Sequence, residues 1–157
     1  MKTANYIHIT AELSTCGCNI NMSPHARLRA IERSSLAPSR VLELVARRHA
    51  VLLPFRAANR SYHLLYDRKK MDFIVAVVAI DGCSGSNSAS VVTVLTREQF
   101  ENDAGPIAKQ SLRTAASRAL DAVDFRRWEE REYGPTGVRR RYRVFTYYKK
   151  QDGSTGC

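Results

Sequence analysis

The spacing of apolar residues changes along the chain, and its first part has the period of helices. Ser23-Pro24 predicts a helix start, with serine as the N-cap and proline at the first helical position. In the helix that follows, we expect Leu28 and Ile31 to face the core and charged side chains to cover the other faces. Pro38 interrupts this pattern, and Ser39 is expected to cap a second short helix.

The middle of the chain has the pattern of strands. Residues 51–55 are apolar and contain Pro54, which indicates the edge of a sheet. Residues 61–67 and 71–80 predict two strands joined by a basic turn, and residues 90–95 predict a further strand. The connections are too short for parallel crossovers, so we expect an antiparallel meander.

The C-terminal part predicts helices and then a basic strand. Thr96 and Gln99 have the spacing of a capping box, and the helix that they begin is expected to end near Gly105. A longer amphipathic helix is predicted over residues 107–123, and a strand over residues 138–148.

These elements predict a single α+β domain over residues 1–157, with two short N-terminal helices packed on the antiparallel meander, followed by C-terminal helices and the basic strand. Residues 151–157 are expected to form a flexible tail. Residues 11–22 lack periodicity and are expected to form a loop.

The net charge of the chain gives the strongest indication of its partners. The chain has 25 Lys+Arg against 15 Asp+Glu, a net charge of +10, and 19 of its basic residues are arginine. Residues 24–70 carry +8, residues 71–125 carry −3 and residues 126–157 carry +5. Arginine favours bidentate contacts with phosphate, so this uneven charge indicates a polyanionic partner, with solvated basic faces as the alternative.

Other classes of protein fit the sequence less well. No apolar run approaches the roughly 20 residues that span a bilayer, and the N-terminus does not resemble a secretory signal, so we expect a cytoplasmic protein without membrane partners. The four cysteines lack the paired spacing of zinc sites, and the glycines fit no phosphate-binding loop. No metal or cofactor is expected.

The first helix carries the strongest candidate for catalysis. His25, Arg29, Glu32 and Arg33 recur at helical spacing and can share one stripe. Metal-independent RNA cleavage needs a base, an acid and a cation near the phosphate, and these residue types can supply all three. The same spacing also fits an ordinary helix face of arginine and glutamate.

Two further groups of residues are candidates. Within the meander, Thr93 fits either a site or a simple strand former, while His63 and Tyr66 lie on opposite faces of a regular strand and cannot line one site. For nucleic-acid binding, the sequence offers basic residues of the predicted turn and of the C-terminal strand, where an aromatic ring adds a stacking surface. These are Arg68, Lys69, Lys70, Arg139, Arg140, Arg141, Tyr142 and Arg143.

Between residues 23 and 96 the order of features resembles BrnT-type and RelE-like ribonuclease toxins. The resemblance rests on SPHARLRAIER, on the strands YHLLYD and MDFIVAVV, and on VVTVLT leading into a helix. It implies metal-independent cleavage by the 2′-oxygen, with His25 or Glu32 as base and Arg29 or Arg33 stabilising phosphate charge. Thr93 would match the hydroxyl residue of the late strand. By this resemblance residues 23–96 would form the core of the domain, and residues 97–150 would form a helical and basic extension that has no counterpart in those toxins.

Three functions therefore stay open. The first is an endoribonuclease of toxin type, acting on single-stranded or ribosome-associated RNA and paired with an acidic antitoxin. The second is a noncatalytic nucleic-acid-binding protein of phage or mobile-element origin. The third is an inhibitor of a host nucleoprotein complex. Nucleic acid, with RNA favoured, is the partner in the first two, and a host protein is the partner in the third.

Overall fold

The computed structural model describes residues 20–55, 57–81 and 88–134, and these ranges contain five strands and five helices. The predicted α+β class is therefore confirmed. The predicted strand over residues 138–148 and the tail over residues 151–157 lie outside the described residues. In chain order the elements are β1 (Ile20–Met22), α1 (Pro24–Arg33), α2 (Pro38–Ala46), β2 (Val51–Leu52), β3 (Arg60–Asp67), β4 (Asp72–Asp81), β5 (Ser88–Thr96), α3 (Arg97–Ala104), α4 (Lys109–Ala119) and α5 (Ala122–Tyr133).

The five strands form one mixed sheet in the order β1-β5-β4-β3-β2. Strands β2 to β5 pair antiparallel with their chain neighbours, whereas β1 pairs parallel with β5 in a register that aligns Ile20 with Ala89. The prediction of a loop over residues 11–22 was wrong for residues 20–22. Three residues are too few to display a period, and their partner strand begins far along the chain.

Helix α1 packs on the sheet through small side chains. Ala26 and Ala30 are completely buried, whereas Leu28 is 52% and Ile31 64% exposed. The prediction that Leu28 and Ile31 face the core was therefore wrong. Two alanines four residues apart lie on the same face and let the helix backbone approach the sheet closely.

Both ends of α1 are bonded to β5. The backbone N–H of Ser23 donates to the carbonyl of Val91 at 3.0 Å, and its Oγ donates to the carbonyl of Val92 at 3.2 Å. The same Oγ accepts from the N–H of Ala26 at 3.0 Å, which confirms Ser23 as the N-cap. At the other end, Arg33 Nη1 donates to the carbonyl of Val94 at 2.7 Å.

The hydrophobic core lies between the sheet and the first two helices. Alternate residues of β3, β4 and β5 contribute to it, together with the inner faces of α1 and α2 and the whole apolar side of β1. Its buried members are Ile20, Met22, Ala26, Ala30, Val41, Val45, Ala50, Leu65, Ile74, Ala76, Val78, Ala89, Val91 and Val94.

The opposite face of the sheet has its own apolar cluster, which includes aromatic rings. Phe55, Tyr62 and Phe100 pack with ring centroids 5.0 to 5.6 Å apart, so that α3 is anchored through Phe100. Phe73 and Tyr66 form a further edge-to-face pair at 5.0 Å. Together the two clusters bury both faces of β3 and β4.

The helix boundaries test the capping predictions. The capping box that begins α3 is confirmed, since the N–H of Gln99 donates to Thr96 Oγ1 at 3.2 Å and the N–H of Thr96 donates to Gln99 Oε1 at 3.0 Å. Helix α2 begins two residues earlier than predicted, with Ala37 instead of Ser39 as the N-cap and Pro38 as its first residue. Proline suits that position because its missing N–H would have no helical partner.

The single helix predicted over residues 107–123 is two helices, α4 and α5. Asp121 interrupts the pattern, and its Oδ1 accepts from the N–H of Asp124 at 2.8 Å as the N-cap of α5. Contacts divide the chain into two compact units here, Met1–Ala119 and Leu120–Cys157. In the second unit, Trp128 packs against the rings of Phe125 and Tyr133.

Candidate nucleic-acid interface

The residues predicted for catalysis on α1 lie on one flank of the helix but have different surroundings. At 3.6 residues per turn, the four positions fall within an arc of roughly 100°. His25 and Glu32 are exposed, and Arg29 Nη1 lies 2.7 Å from Glu32 Oε2. Arg33 is half-buried and bonded to the backbone of β5. The flank therefore presents an imidazole beside an ion pair.

Thr93 does not join this flank. It pairs with Val77 of β4, whereas the neighbouring positions Ala76 and Val78 belong to the core under α1 and α2. Side chains alternate along a strand, so Thr93 lies on the opposite face of the sheet from α1. The bulge in this ladder, between Val77 and Val78, does not bring Thr93 to the helix side.

His63 is a buried residue of β3, the strand next to the edge strand β2. It pairs with Ala76 of β4 and Leu52 of β2, and its Nε2 lies 2.9 Å from the Oγ of Ser61. Burial lowers the pKa of His63 to about 4. A neutral histidine inside the sheet acts on stability rather than on a solvent-borne substrate.

Asp67 fixes the basic turn between β3 and β4. Its carboxylate accepts from the backbone N–H groups of Lys69 at 3.1 Å and Lys70 at 3.3 Å, and from both the N–H and the Oγ of Ser35. Burial raises the pKa of Asp67, but the hydrogen bonds from Ser35 and the turn outweigh it and leave that pKa below its usual value. Arg68, Lys69 and Lys70 are thereby held exposed on an ordered turn.

A basic groove lies between α2 and α4, over the end of β3, and encloses about 320 Å³. We call it the α2–α4 groove. Its rim consists of exposed cationic or titratable side chains from four segments, namely Arg40, Arg47, His49, Arg68 and Arg118. The other lining residues have apolar or aromatic side chains, and the buried ones among them, Leu65, Tyr66 and Ala115, form the floor; the remaining ones are Leu36, Leu44 and Ala119.

One carboxylate positions two of the rim arginines. Glu43 Oε2 lies 2.8 Å from Arg40 Nη1, and Glu43 Oε1 lies 3.1 Å from Arg47 Nη1. The hydrogen bond from Arg40, together with the charge of Arg47, lowers the pKa of Glu43. Against this single negative charge the rim carries four guanidinium groups, so the groove keeps a positive field.

The end of α2 fixes one wall of the groove. The N–H of His49 donates to the carbonyl of Leu44 at 2.9 Å, and that of Arg48 donates to the carbonyl of Val45 at 3.2 Å. This is a Schellman motif, in which Arg48 takes the left-handed position with φ 59°. The chain therefore turns sharply after α2, and the turn places His49 at the rim.

Arg118 joins the other wall to this turn. Its Nη1 lies 3.3, 3.4 and 3.1 Å from the carbonyl oxygens of Arg48, His49 and Ala50. Carbonyl groups just after a helix C-terminus favour a cation, because the helix dipole is negative there. Helix α4 is thus tied to the connection between α2 and β2, which sets the width of the groove.

Of the rim residues, Arg68 alone was predicted as a binding residue. Arg40 in α2 and Arg47 at its C-cap are seven residues apart, a spacing that could have indicated a basic stripe. Arg118 gives no sequence signal, because its helix follows the sheet and returns to β3. The predicted binding residues Arg139 to Arg143 lie outside the described residues.

Among the helices in the described ranges, none has the length and apolar content needed to cross a membrane. Comparison of the chain with protein-family models, with curated proteins and with solved structures found no match.

Proposed function

We propose that this protein binds nucleic acid, with RNA favoured, through the α2–α4 groove. The observation that carries this proposal is the convergence of four exposed arginines around one cleft, from α2 and its C-cap, from the turn after β3 and from α4. Guanidinium groups match phosphate oxygens in geometry and charge and keep their charge at any physiological pH. A partner with regularly spaced phosphates can contact several of them at once.

The basic turn after β3 extends this surface. Arg68 belongs to both the turn and the groove, and Lys69 and Lys70 follow it on the same exposed turn. Asp67 accepts hydrogen bonds from the backbone N–H groups of Lys69 and Lys70 and so holds the turn in one conformation. Binding through these side chains therefore does not have to order the backbone of the turn. A polyanion can therefore follow a continuous cationic path from the turn into the groove.

Salt dependence of binding tests this proposal. Four phosphate contacts with a single strand predict a slope of about −2.8 for log affinity against log salt, or a roughly fiftyfold loss between ~50 and ~200 mM salt. Fluorescence anisotropy with labelled single-stranded RNA measures this slope. Replacing Arg47→Gln and Arg68→Gln together removes two contacts and should reduce the slope by about 1.4.

The matched control removes the same charge elsewhere. Arg27 and Arg60 are exposed and lie outside the groove, so the double variant Arg27→Gln/Arg60→Gln should keep the wild-type slope. Equal losses in both double variants would mean that total charge, rather than the groove, drives binding. If the wild-type protein bound neither RNA nor DNA at moderate salt, the partner would be a protein, as in the inhibitor hypothesis.

Metal-independent RNA cleavage is the second candidate function, and the exposed flank of α1 favours it. His25 stands beside the Arg29–Glu32 ion pair, so a base and a cation can reach the same phosphate. In this hypothesis His25 or Glu32 takes the proton from the 2′-hydroxyl, and Arg29 or Arg33 stabilises the phosphate charge. The 2′-oxygen bonds to phosphorus as the bond between phosphorus and the 5′-oxygen breaks, and the leaving oxygen takes a proton from water, which leaves a cyclic phosphate and a 5′-hydroxyl. The resemblance to RelE-like and BrnT-type toxins supports the same reaction.

Incubation of labelled single-stranded RNA with the protein in EDTA tests cleavage. Wild-type cleavage that His25→Ala and Arg29→Ala both abolish would support the α1 site. Thr93→Val should leave that cleavage intact, since Thr93 lies on the other face of the sheet. Salt-sensitive binding without cleavage, on isolated RNA and in a translation assay, would leave binding as the function.

A further inference from the structure

The floor of the α2–α4 groove carries apolar side chains, which phosphate binding does not require. Leu65, Tyr66 and Ala115 are the buried residues of the groove's lining, and Leu36, Leu44 and Ala119 are the more exposed apolar ones. A surface that recognised only the phosphate backbone would need cations and backbone donors, not an apolar floor. An apolar floor beneath cations suits a ligand that is flat and apolar in one part and anionic in another.

The size of the groove indicates how much of a nucleic acid can enter it. Its volume of about 320 Å³ lies at the lower end of the range for small-molecule sites, roughly 300 to 1,000 Å³. This is room for one nucleotide and too little for a stacked base pair. In a duplex the bases are stacked and paired, so reaching such a floor requires an unstacked base.

The rim arginines are placed to hold the backbone on both sides of that base. Arg40 lies in α2 and Arg47 is the C-cap of this helix, and their guanidinium groups contact the two carboxylate oxygens of Glu43 from either side. Arg118 faces them from α4. Phosphates that precede and follow one nucleotide can therefore meet different guanidinium groups.

We propose that the α2–α4 groove seats a single unstacked nucleotide, with its base on the apolar floor and its flanking phosphates at the rim arginines. The inference rests on the proposed nucleic-acid binding and specifies its substrate class, which is a single strand rather than a duplex. Base contacts with apolar or aromatic surfaces tolerate different sequences, so binding should be largely independent of sequence.

The test compares a labelled single-stranded RNA with the duplex of the same sequence, using the whole chain and fluorescence anisotropy. We expect the single strand to bind at least about tenfold more tightly. Ala119→Leu places a larger side chain in the groove, at an exposed position and without changing the charge. The ratio of single-strand affinity to duplex affinity should then fall close to one, while the affinity for the duplex stays unchanged. Ala108→Leu makes the same change at an exposed position outside the groove and should leave the ratio intact.

A second measurement does not depend on any variant. A nucleoside monophosphate should displace the labelled strand at a concentration at least about tenfold below that of inorganic phosphate, because only the nucleotide reaches the floor. Equal competition by the nucleotide and by inorganic phosphate would overturn the inference. So would an Ala119→Leu variant that keeps the wild-type ratio of single-strand affinity to duplex affinity. Either result leaves the proposed function standing, whereas loss of all binding to both RNA forms would remove the proposed function itself.

Discussion

Mild acid is expected to destabilise this protein through one side chain, His63. The residue is 4% exposed on β3, with Ala76 of β4 and Leu52 of β2 as its neighbours across the strands. Burial lowers its pKa to about 4, whereas a histidine in an unfolded chain has a pKa of about 6.5. Charging the imidazole in place would put a cation into the core with Ser61 as its neighbour.

The sign and the size of the effect follow from these two pKa values. The unfolded chain binds a proton at His63 below about pH 6.5, whereas the folded chain binds it only near pH 4. The free energy of unfolding is therefore unaffected by His63 above about pH 6.5 and decreases as the pH falls from there towards 4. The difference corresponds to about 3 kcal/mol by pH 4 and about 2 kcal/mol by pH 5. The total free energy of unfolding of a domain of this size is only about 5 to 15 kcal/mol.

Asp67 does not interfere in this window. Its pKa is lowered in the folded state, so its contribution to stability is present above the unfolded pKa of about 3.9 and is lost as the pH falls through the folded value. Measurements at pH 5 and above therefore isolate the histidine from this carboxylate.

Urea unfolding at about pH 7.5, 6 and 5 measures the effect. The wild-type protein should lose about 2 kcal/mol across this range, and His63→Gln should lose much less. His49→Gln, at an exposed position, should behave as the wild type. A His63→Gln variant with the full wild-type loss would refute the reasoning, as would an NMR titration that placed the pKa of His63 near 6.5 in the folded protein.

Three further predictions concern the helices, and each is measured as the free energy of unfolding in urea. Ala26→Leu should destabilise the protein by about 1 to 3 kcal/mol by overpacking the contact between α1 and the sheet, whereas Leu28→Lys should change stability by less than about 0.5 kcal/mol. If Leu28→Lys were the more destabilising variant, α1 would have to be rotated so that Leu28 faces the sheet. Arg48→Gly should stabilise by about 1 kcal/mol because φ 59° suits glycine, and a loss would mean that Arg48 contributes more than its strain costs. Thr96→Ala should cost about 1 kcal/mol and Thr96→Ser little, and equal costs would exclude the hydroxyl cap.

Elements that depend on neighbouring residues could be predicted from the sequence. The caps at Ser23 and Thr96 are fixed within four residues, and the structure has both. The strands around the basic turn follow from period-two patterning and from a short connection, which together leave antiparallel pairing as the outcome. In each case the information and the contact lie in the same segment.

The rotation of α1 depended instead on a partner that the helix sequence does not contain. Leucine and isoleucine are the more hydrophobic residues, so a helix considered alone would bury Leu28 and Ile31. The sheet gives a different result because β5 is bonded to both Ser23 and Arg33, and a helix held that closely accepts only alanine beneath it. The hydrogen bonds at both ends of α1 set its distance to the sheet, and this short distance explains why the alanine face is buried and the face with Leu28 and Ile31 is exposed.

The α2–α4 groove shows why a charge count cannot identify a site. Each rim arginine alone resembles a solvated surface residue, and Arg40 and Arg118 are far apart in the sequence. They come together because β2 has only two residues, which leaves the end of β3 to be flanked by α2 and α4. A longer β2 would cover Leu65 and Tyr66 with another strand and separate the two walls. The shortness of this edge strand, rather than the number of arginines, creates the cleft that the proposed nucleotide enters.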